Sequence, residues 1–270
     1  MHPFRYSGTI EKAYIGEGGI PALLFYHEGP QKPTILCQHG LTGSKEQMLG
    51  TCIKLADSGF LAVAMDARNH GERGDPEFWQ KLRGNLPMFL FSTMLQTAHD
   101  VATVIDYLEE RPEAEPESVG MMGVSMGGFI TILSATFERR IKAAVSVVAG
   151  AYYGALMRQQ LQPRGLGDLL GLTRKPLENL EESAINFIEK YDPINHVDRF
   201  KTVPLLLLNS GKDDLVPLEC ATSLYDALEP VYKDAPEKLR LKVYPELGHD
   251  YTPEMESEAI KWFKQNLCMV

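Results

Sequence analysis

The sequence predicts an α/β fold, a mostly parallel twisted sheet with helices on both faces. Three observations carry this. Strand-length apolar runs alternate with amphipathic helical patterns over most of the chain. One such run, Val119 to Val124, passes straight into Gly123-Val124-Ser125-Met126-Gly127 and then into a segment apolar nearly all round, Phe129-Ile130-Thr131-Ile132-Leu133. Finally, His39, His70, Ser125, Asp213 and His249 each fall in a loop that follows a strand candidate. Parallel strands joined by right-handed crossovers bring such loops to one edge, beyond the carboxyl ends of the strands, where ligands bind.

The 270 residues suit one large domain with an insertion better than two independent domains. The expected organisation is a core of residues 1–150 and 200–270, interrupted by a helical insertion over 151–199. Asp and Glu outnumber Lys and Arg, 36 to 27, for a formal net charge of −9. That balance argues against nucleic acid as a partner, whose phosphates need clustered cations. No apolar run approaches the roughly 18 residues of a membrane span, so none is expected. Met1-His2-Pro3-Phe4-Arg5 lacks the apolar stretch of a signal peptide, and the cysteines (Cys37, Cys52, Cys220, Cys268) have no ligand or redox spacing. The expected location is cytoplasmic.

The elements follow in order. Two strand-like runs over residues 8–26 flank Gly16-Glu17-Gly18-Gly19 and read as a hairpin. Pro33 to Cys37 is a short strand leading into Gln38-His39-Gly40-Leu41-Thr42-Gly43. Ser44 and Gln47 fit a capping box, with Met48, Cys52 and Leu55 at helical spacing after it. Phe60 to Met65 is the next strand, followed by the charged loop Asp66 to Asp75. Residues 76–92 are too aromatic for a plain linker, and Met94, Ala98, Val101, Ile105 and Leu108 mark an amphipathic helix. Ile141 to Val148 is a strand. Tyr152, Tyr153, Leu156 and Met157 suggest one helix beyond it; Leu177 to Tyr191 suggest another, with Gly165, Gly167 and Gly171 between. The strands Val203 to Leu208 and Leu239 to Tyr244 resume the core. Thr252-Pro253 then caps a closing helix that buries Met255, Ala259, Trp262 and Phe263.

The chemistry starts at Ser125. G-x-S-x-G between a strand and a helix is a nucleophile elbow, in which small residues let the two backbones approach while the serine is held out of the sheet. An ordinary serine needs an adjacent base. Ser125, then Asp213 or Asp214, then His249 supply nucleophile, acid and base in the chain order that α/β-hydrolases use. Imidazole suits the base because its pKa lies near neutrality, and the acid fixes its tautomer.

On these residues the chain resembles the α/β-hydrolase superfamily, near the dienelactone-hydrolase and prolyl-oligopeptidase-like branch that includes small bacterial carboxylesterases. The resemblance covers roughly residues 20–150 and 200–268. It implies an oxyanion hole from two backbone N–H groups, those of Met126 and of Leu41 in His39-Gly40-Leu41. His39 would support that loop. It also favours Asp213 as the acid: counting forward from Gly211 points to Asp214, but counting back from Val216-Pro217 matches D-x-x-V-P and points to Asp213. In Asp66-Ala67-Arg68-Asn69-His70-Gly71, the residues Asn69 and His70 depart from the superfamily's usual D-x-R-G-x-G-x-S. An ion-paired turn is the favoured reading there, with a substrate-facing polar patch as the competitor. Residues 151–199 are expected to form a lid, with Tyr152 and Phe187 facing the substrate.

The expected activity is hydrolysis of a small-molecule carboxylic ester through an acyl-enzyme, with no cofactor and no metal. A thioesterase or small peptidase is the alternative, although peptidases of the related family usually add a gating domain beyond what 270 residues contain. A non-catalytic ligand-binding relative is a further alternative. The sequence does not reveal the oligomeric state.

Overall fold

The computed structural model describes residues 6–153, 156, 182–200 and 203–268. The chain opens with a hairpin of β1 (Thr9–Ile15) and β2 (Ile20–Tyr26), closed through Gly16 to Gly19. The remaining strands are β3 (Lys32–Gln38), β4 (Leu61–Met65), β5 (Ala114–Val124), β6 (Ile141–Val147), β7 (Leu205–Ser210) and β8 (Leu239–Tyr244). Together they form an eight-stranded sheet in the order β1-β2-β4-β3-β5-β6-β7-β8. β1/β2 and β2/β4 are antiparallel, and every pair from β4 to β8 is parallel.

The order contains a reversal that positions the site. From β3 the chain moves outward to β4, then crosses back over β3 to β5. The loops leaving the carboxyl ends of β3 and β5 therefore diverge. A crevice at such a switch point is the natural ligand site of a parallel sheet. His39 to Gly43 and Ser125 occupy those two loops.

The α-helices among the described residues are α1 (Leu49–Asp57), α2 (Phe78–Gly84), α3 (Leu86–Glu109), α4 (Met126–Phe137), α5 (Glu182–Tyr191), α6 (Glu219–Leu228) and α7 (Pro253–Leu267), with short 3-10 turns between elements. The core divides in two. α3, α4 and α6 pack their apolar sides against one sheet face, around Met94, Ile105, Phe129, Leu133 and Leu224. α1 and α7 cover the other, around Cys52, Leu55, Trp262 and Phe263. α4 is buried nearly all round because it lies beneath α3 and against β5 and β6. Among the described residues, no helix is long and apolar enough to cross a membrane.

Local signals fix the starts of two helices. Asn85 accepts from the Met88 N–H to cap α3, and Thr252 accepts from the Met255 N–H to cap α7, each with proline in the first turn. The expected capping box at Ser44 is not formed. The Ser44 side chain accepts no capping bond; its carbonyl receives the Gln47 N–H at 3.0 Å, giving a 3-10 turn. The cause is Lys45, whose backbone N–H and ammonium both bind the buried Asp66 carboxylate and draw this turn inward. Of the expected insertion, the helix at its end is α5. Met157, Gly165, Gly167, Gly171, Leu177 and Leu180 lie outside the described residues, and most of the expected lid with them.

Candidate active site

Ser125 joins β5 to α4 with φ 56° and ψ −120°, a backbone that an L-residue keeps only where its surroundings enforce it. Close packing enforces it here. A Cβ on Gly123 would lie 2.1 Å from the Gly127 carbonyl oxygen, and one on Gly127 would lie 2.2 Å from that of Gln38. Strand β5, helix α4 and the end of β3 therefore meet with no room for side chains. The Ser125 N–H donates to the Val147 carbonyl at 2.9 Å, and its carbonyl accepts from the Gly128 and Phe129 N–H groups. With the backbone held on both sides, the hydroxyl projects from the sheet edge.

That hydroxyl meets His249. Ser125 Oγ is 2.8 Å from His249 Nε2, and His249 Nδ1 is 2.7 Å from Asp213 Oδ2. A carboxylate can only accept, so Nδ1 carries the proton and Nε2 presents its lone pair to the serine hydroxyl. Backbone bonds bring the two loops together: Gly211 N–H to Tyr244 O and Lys212 N–H to Leu247 O, both 2.9 Å. The other Asp213 oxygen accepts from the N–H groups of Leu215 and Val216 at 2.9 and 2.8 Å. This is the physical content of the spacing to Val216-Pro217: the chain folds back on Asp213 and aims its second oxygen at the imidazole. Asp213 is buried to 2% side-chain exposure, whereas Asp214 is exposed.

The loop after β3 runs alongside. A Cβ on Gly40 would sit 3.5 Å from Val124 O and 3.7 Å from Ser125 Cβ. Leu41 follows, and Met126 opens α4, where the first N–H groups have no partner within the helix and carry the positive end of its dipole. Leu41 and Met126 both line the cleft at Ser125. His39 holds this loop in place: its Nδ1 donates to Gly40 O at 2.8 Å, and its Nε2 accepts the Ala67 N–H at 3.0 Å. Burial pushes its pKa down to about 4, so the imidazole stays neutral and keeps that acceptor.

The loop after β4 is an ion-paired turn. Asp66 is fully buried and binds the Lys45 ammonium at 2.9 Å, the Lys45 N–H and the Glu72 N–H. Arg68 grips Asp100 with two bonds of 2.7 and 2.6 Å, Arg73 adds a third contact to Asp100 at 2.8 Å, and Asn69 donates to Thr93. His70 packs 5.5 Å from the His39 ring and donates from Nδ1 to Arg68 O. The histidines do not assemble as a ligand set, since His249 is engaged with Asp213 and Ser125 and both other Nδ1 atoms serve backbone carbonyls.

Beside Ser125 opens a cleft of about 550 Å³. Leu90 and Met94 of α3, Phe129 of α4 and Leu156 form one side; Thr42, Gln47, Met48 and Tyr251 form another, with Leu215 and Val216 near the acid loop. Tyr152 and Phe187, expected to face the substrate, are not in the described wall. Tyr152 has φ 63° and its N–H is tied to Asp192, while Phe187 packs on Phe91 and Tyr191. Of the expected stripe, Phe187 is thus turned to Phe91 of α3. Leu90, Met94 and Tyr251 were not distinguishable in the sequence, because an inward methionine or leucine on an amphipathic helix has the same spacing whether it meets core or cavity.

The sequence pattern of the prolyl oligopeptidase family matches residues 51–269. The chain is 26% identical over 253 residues to YitV of Bacillus subtilis (strain 168), and 25% identical over 258 residues to the esterase YjfP of Escherichia coli (strain K12). Each alignment covers 92% of this chain and 96% of the relative. The crystal structure of TT1662 from Thermus thermophilus superimposes with a TM-score of 0.76 at 23% identity, covering 99% of this chain and 100% of that one.

Proposed function

The chain belongs to the prolyl oligopeptidase family of α/β-hydrolase serine hydrolases, and on that premise we propose that it is a carboxylesterase-type enzyme working through an acyl-enzyme. The observation that carries this reading is the unbroken hydrogen-bond chain from Asp213 through His249 to Ser125, ending in an open and largely apolar cleft. Whole-length similarity to a relative named an esterase supports the same reaction class.

In this mechanism Ser125 Oγ attacks the ester carbonyl while His249 Nε2 takes its proton. The developing oxyanion is received by the N–H groups of Leu41 and Met126, which are held before the reaction begins and need no reorganisation. Collapse of the tetrahedral intermediate breaks the C–O bond, and His249 returns the proton to the departing alcohol. Water then enters, gives its proton to His249 and repeats the attack, releasing the acid and restoring Ser125. Asp213 keeps the imidazole in the required tautomer throughout and balances its transient charge. No step calls for a cofactor. Residues 151–199 act as a lid in this reading, supported by Leu156, which already lines the cleft.

Family membership also favours a second reading, hydrolysis of short peptides by the same residues. A panel of p-nitrophenyl esters, acyl-CoA thioesters and acylated peptide amides separates them. Ester turnover that greatly exceeds the others and disappears in Ser125→Ala is the expected result. Preferential cleavage of the thioester or amide would replace the ester assignment, and turnover of none by the folded protein would point to a binding role.

A further inference from the structure

The cleft is chemically two-sided. Thr42 and Gln47, in the segment after β3 that runs to Met48, supply its polar side chains beside Ser125 and His249, while the Tyr251 hydroxyl is turned to Thr51; the wall formed by α3, Phe129 and Leu156 is apolar throughout its described surface. Leu90 and Met94 stand one turn apart on α3 and so stack on a single face, with Leu156 beside them and Phe129 below. Behind this wall lies a second, much smaller void of about 10 Å³, lined by Leu86, Pro87, Phe91 and Tyr153. It is at the threshold for a single water. Leu90, Met94 and Leu156 line both spaces and are therefore the partition between them. The partition is backed by a rigid layer, because Tyr153 is wedged against Phe91 at 4.8 Å and Phe129 at 5.4 Å, and its backbone N–H is bound to Asp192.

An ester has two arms, and a cleft with one apolar and one polar flank sorts them by polarity. We propose that the α3 flank holds the acyl chain, that the substrates are esters of straight, uncharged aliphatic acids, and that Leu90, Met94 and Leu156 set the longest chain accepted. This rests on the esterase reading above and adds the substrate class and the residues that bound it. The alcohol leaves along the flank of Thr42 and Gln47.

The test is kcat/KM along p-nitrophenyl esters from acetate to palmitate, for the wild type, Met94→Ala, Leu156→Ala and Met94→Phe. Each methylene buried against the α3 flank should raise kcat/KM by up to about fourfold, and the rise should stop where the chain meets the partition. Met94→Ala and Leu156→Ala join the void to the cleft and should move that break to longer acids; Met94→Phe should move it to shorter ones. In a parallel series of acetate esters with lengthening alcohols, the variants should follow the wild-type profile. An acyl break that stays in place in variants with a cooperative thermal transition overturns the proposal. So does a break that moves only in the alcohol series, which would reverse the two arms. If the wild type hydrolyses no ester at all, the failure lies instead with the esterase reading on which the proposal rests.

Discussion

Two polar clusters sit on the same edge of the sheet, and they differ in where their hydrogen bonds end. Around Asp66, the charges close on one another: Lys45 with Asp66 and Glu72, and Arg68 and Arg73 with Asp100. Around His249 there is far less charge, one buried carboxylate and an imidazole, yet the chain of bonds runs outward to a hydroxyl beside an open cleft. Density of charge marks the cluster that holds the loops. An incomplete chain, with a reactive atom at its open end, marks the one that can act on a substrate.

The comparison breaks most directly at Ser125. Ser125→Ala removes the open end and should lower kcat by about 10⁶-fold, the scale seen for the serine of a protease triad, with the protein still folded. Asp213→Asn should come next. The amide cannot keep His249 in the required tautomer, so turnover should fall by up to about 10⁴-fold, while Asp214→Asn should cost less than about tenfold. Steady-state kinetics of both variants decide between the acids; a severe loss confined to Asp214→Asn would reverse the assignment.

The same asparagine substitution in the closed cluster should read out differently. Asp66→Asn leaves the Lys45 ammonium buried with less compensation, at a cost of about 3–5 kcal/mol in unfolding free energy. Activity per folded molecule should fall far less than in Asp213→Asn. Urea melts beside kcat separate the two outcomes, and equal losses of activity in both variants would erase the distinction drawn here.

His39 gives the smallest and most conditional effect. Its pKa is depressed from an ordinary 6.5 to about 4 by burial, so between those values the unfolded chain binds the extra proton and the folded one does not. Stability from this group is fully present above pH 6.5 and is lost as pH falls toward 4, by at most about 3 kcal/mol. Asp66, Glu46 and His70 face the same ring; the His70 pKa is also lowered by burial and adds to the slope. His39→Gln should flatten the dependence of the urea midpoint on pH in that window without removing it. A slope identical to wild type would show that His39 binds its proton equally in the folded and unfolded chain, against the depressed pKa.

What was legible in the sequence follows the range of each signal. Ser125 could be read because its strand, turn and helix are contiguous and the glycines at 123 and 127 are fixed by backbone contact. Asp213 could be read because the peptide groups that orient it lie two and three residues ahead. Lys45 could not. It reads as a surface lysine near a helix start, and only the return of Asp66 from a neighbouring strand buries it and abolishes the capping box at Ser44. The cleft wall was hidden for the same reason. Leu90 and Met94 acquire their role from Leu156, more than sixty residues away and on a different element. Phe187 was drawn from an apolar helical stripe, and its contact with Phe91, far away in the chain, is not encoded in that stripe.

The most direct test of the account is the site of covalent capture. The protein is incubated with a fluorophosphonate, digested, and mapped by peptide mass spectrometry, with Ser125→Ala and His249→Ala alongside. The account predicts one adduct per chain, on Ser125, absent in Ser125→Ala and formed much more slowly in His249→Ala. Stoichiometric labelling of a different serine, or labelling of Ser125 at the same rate without His249, would contradict it.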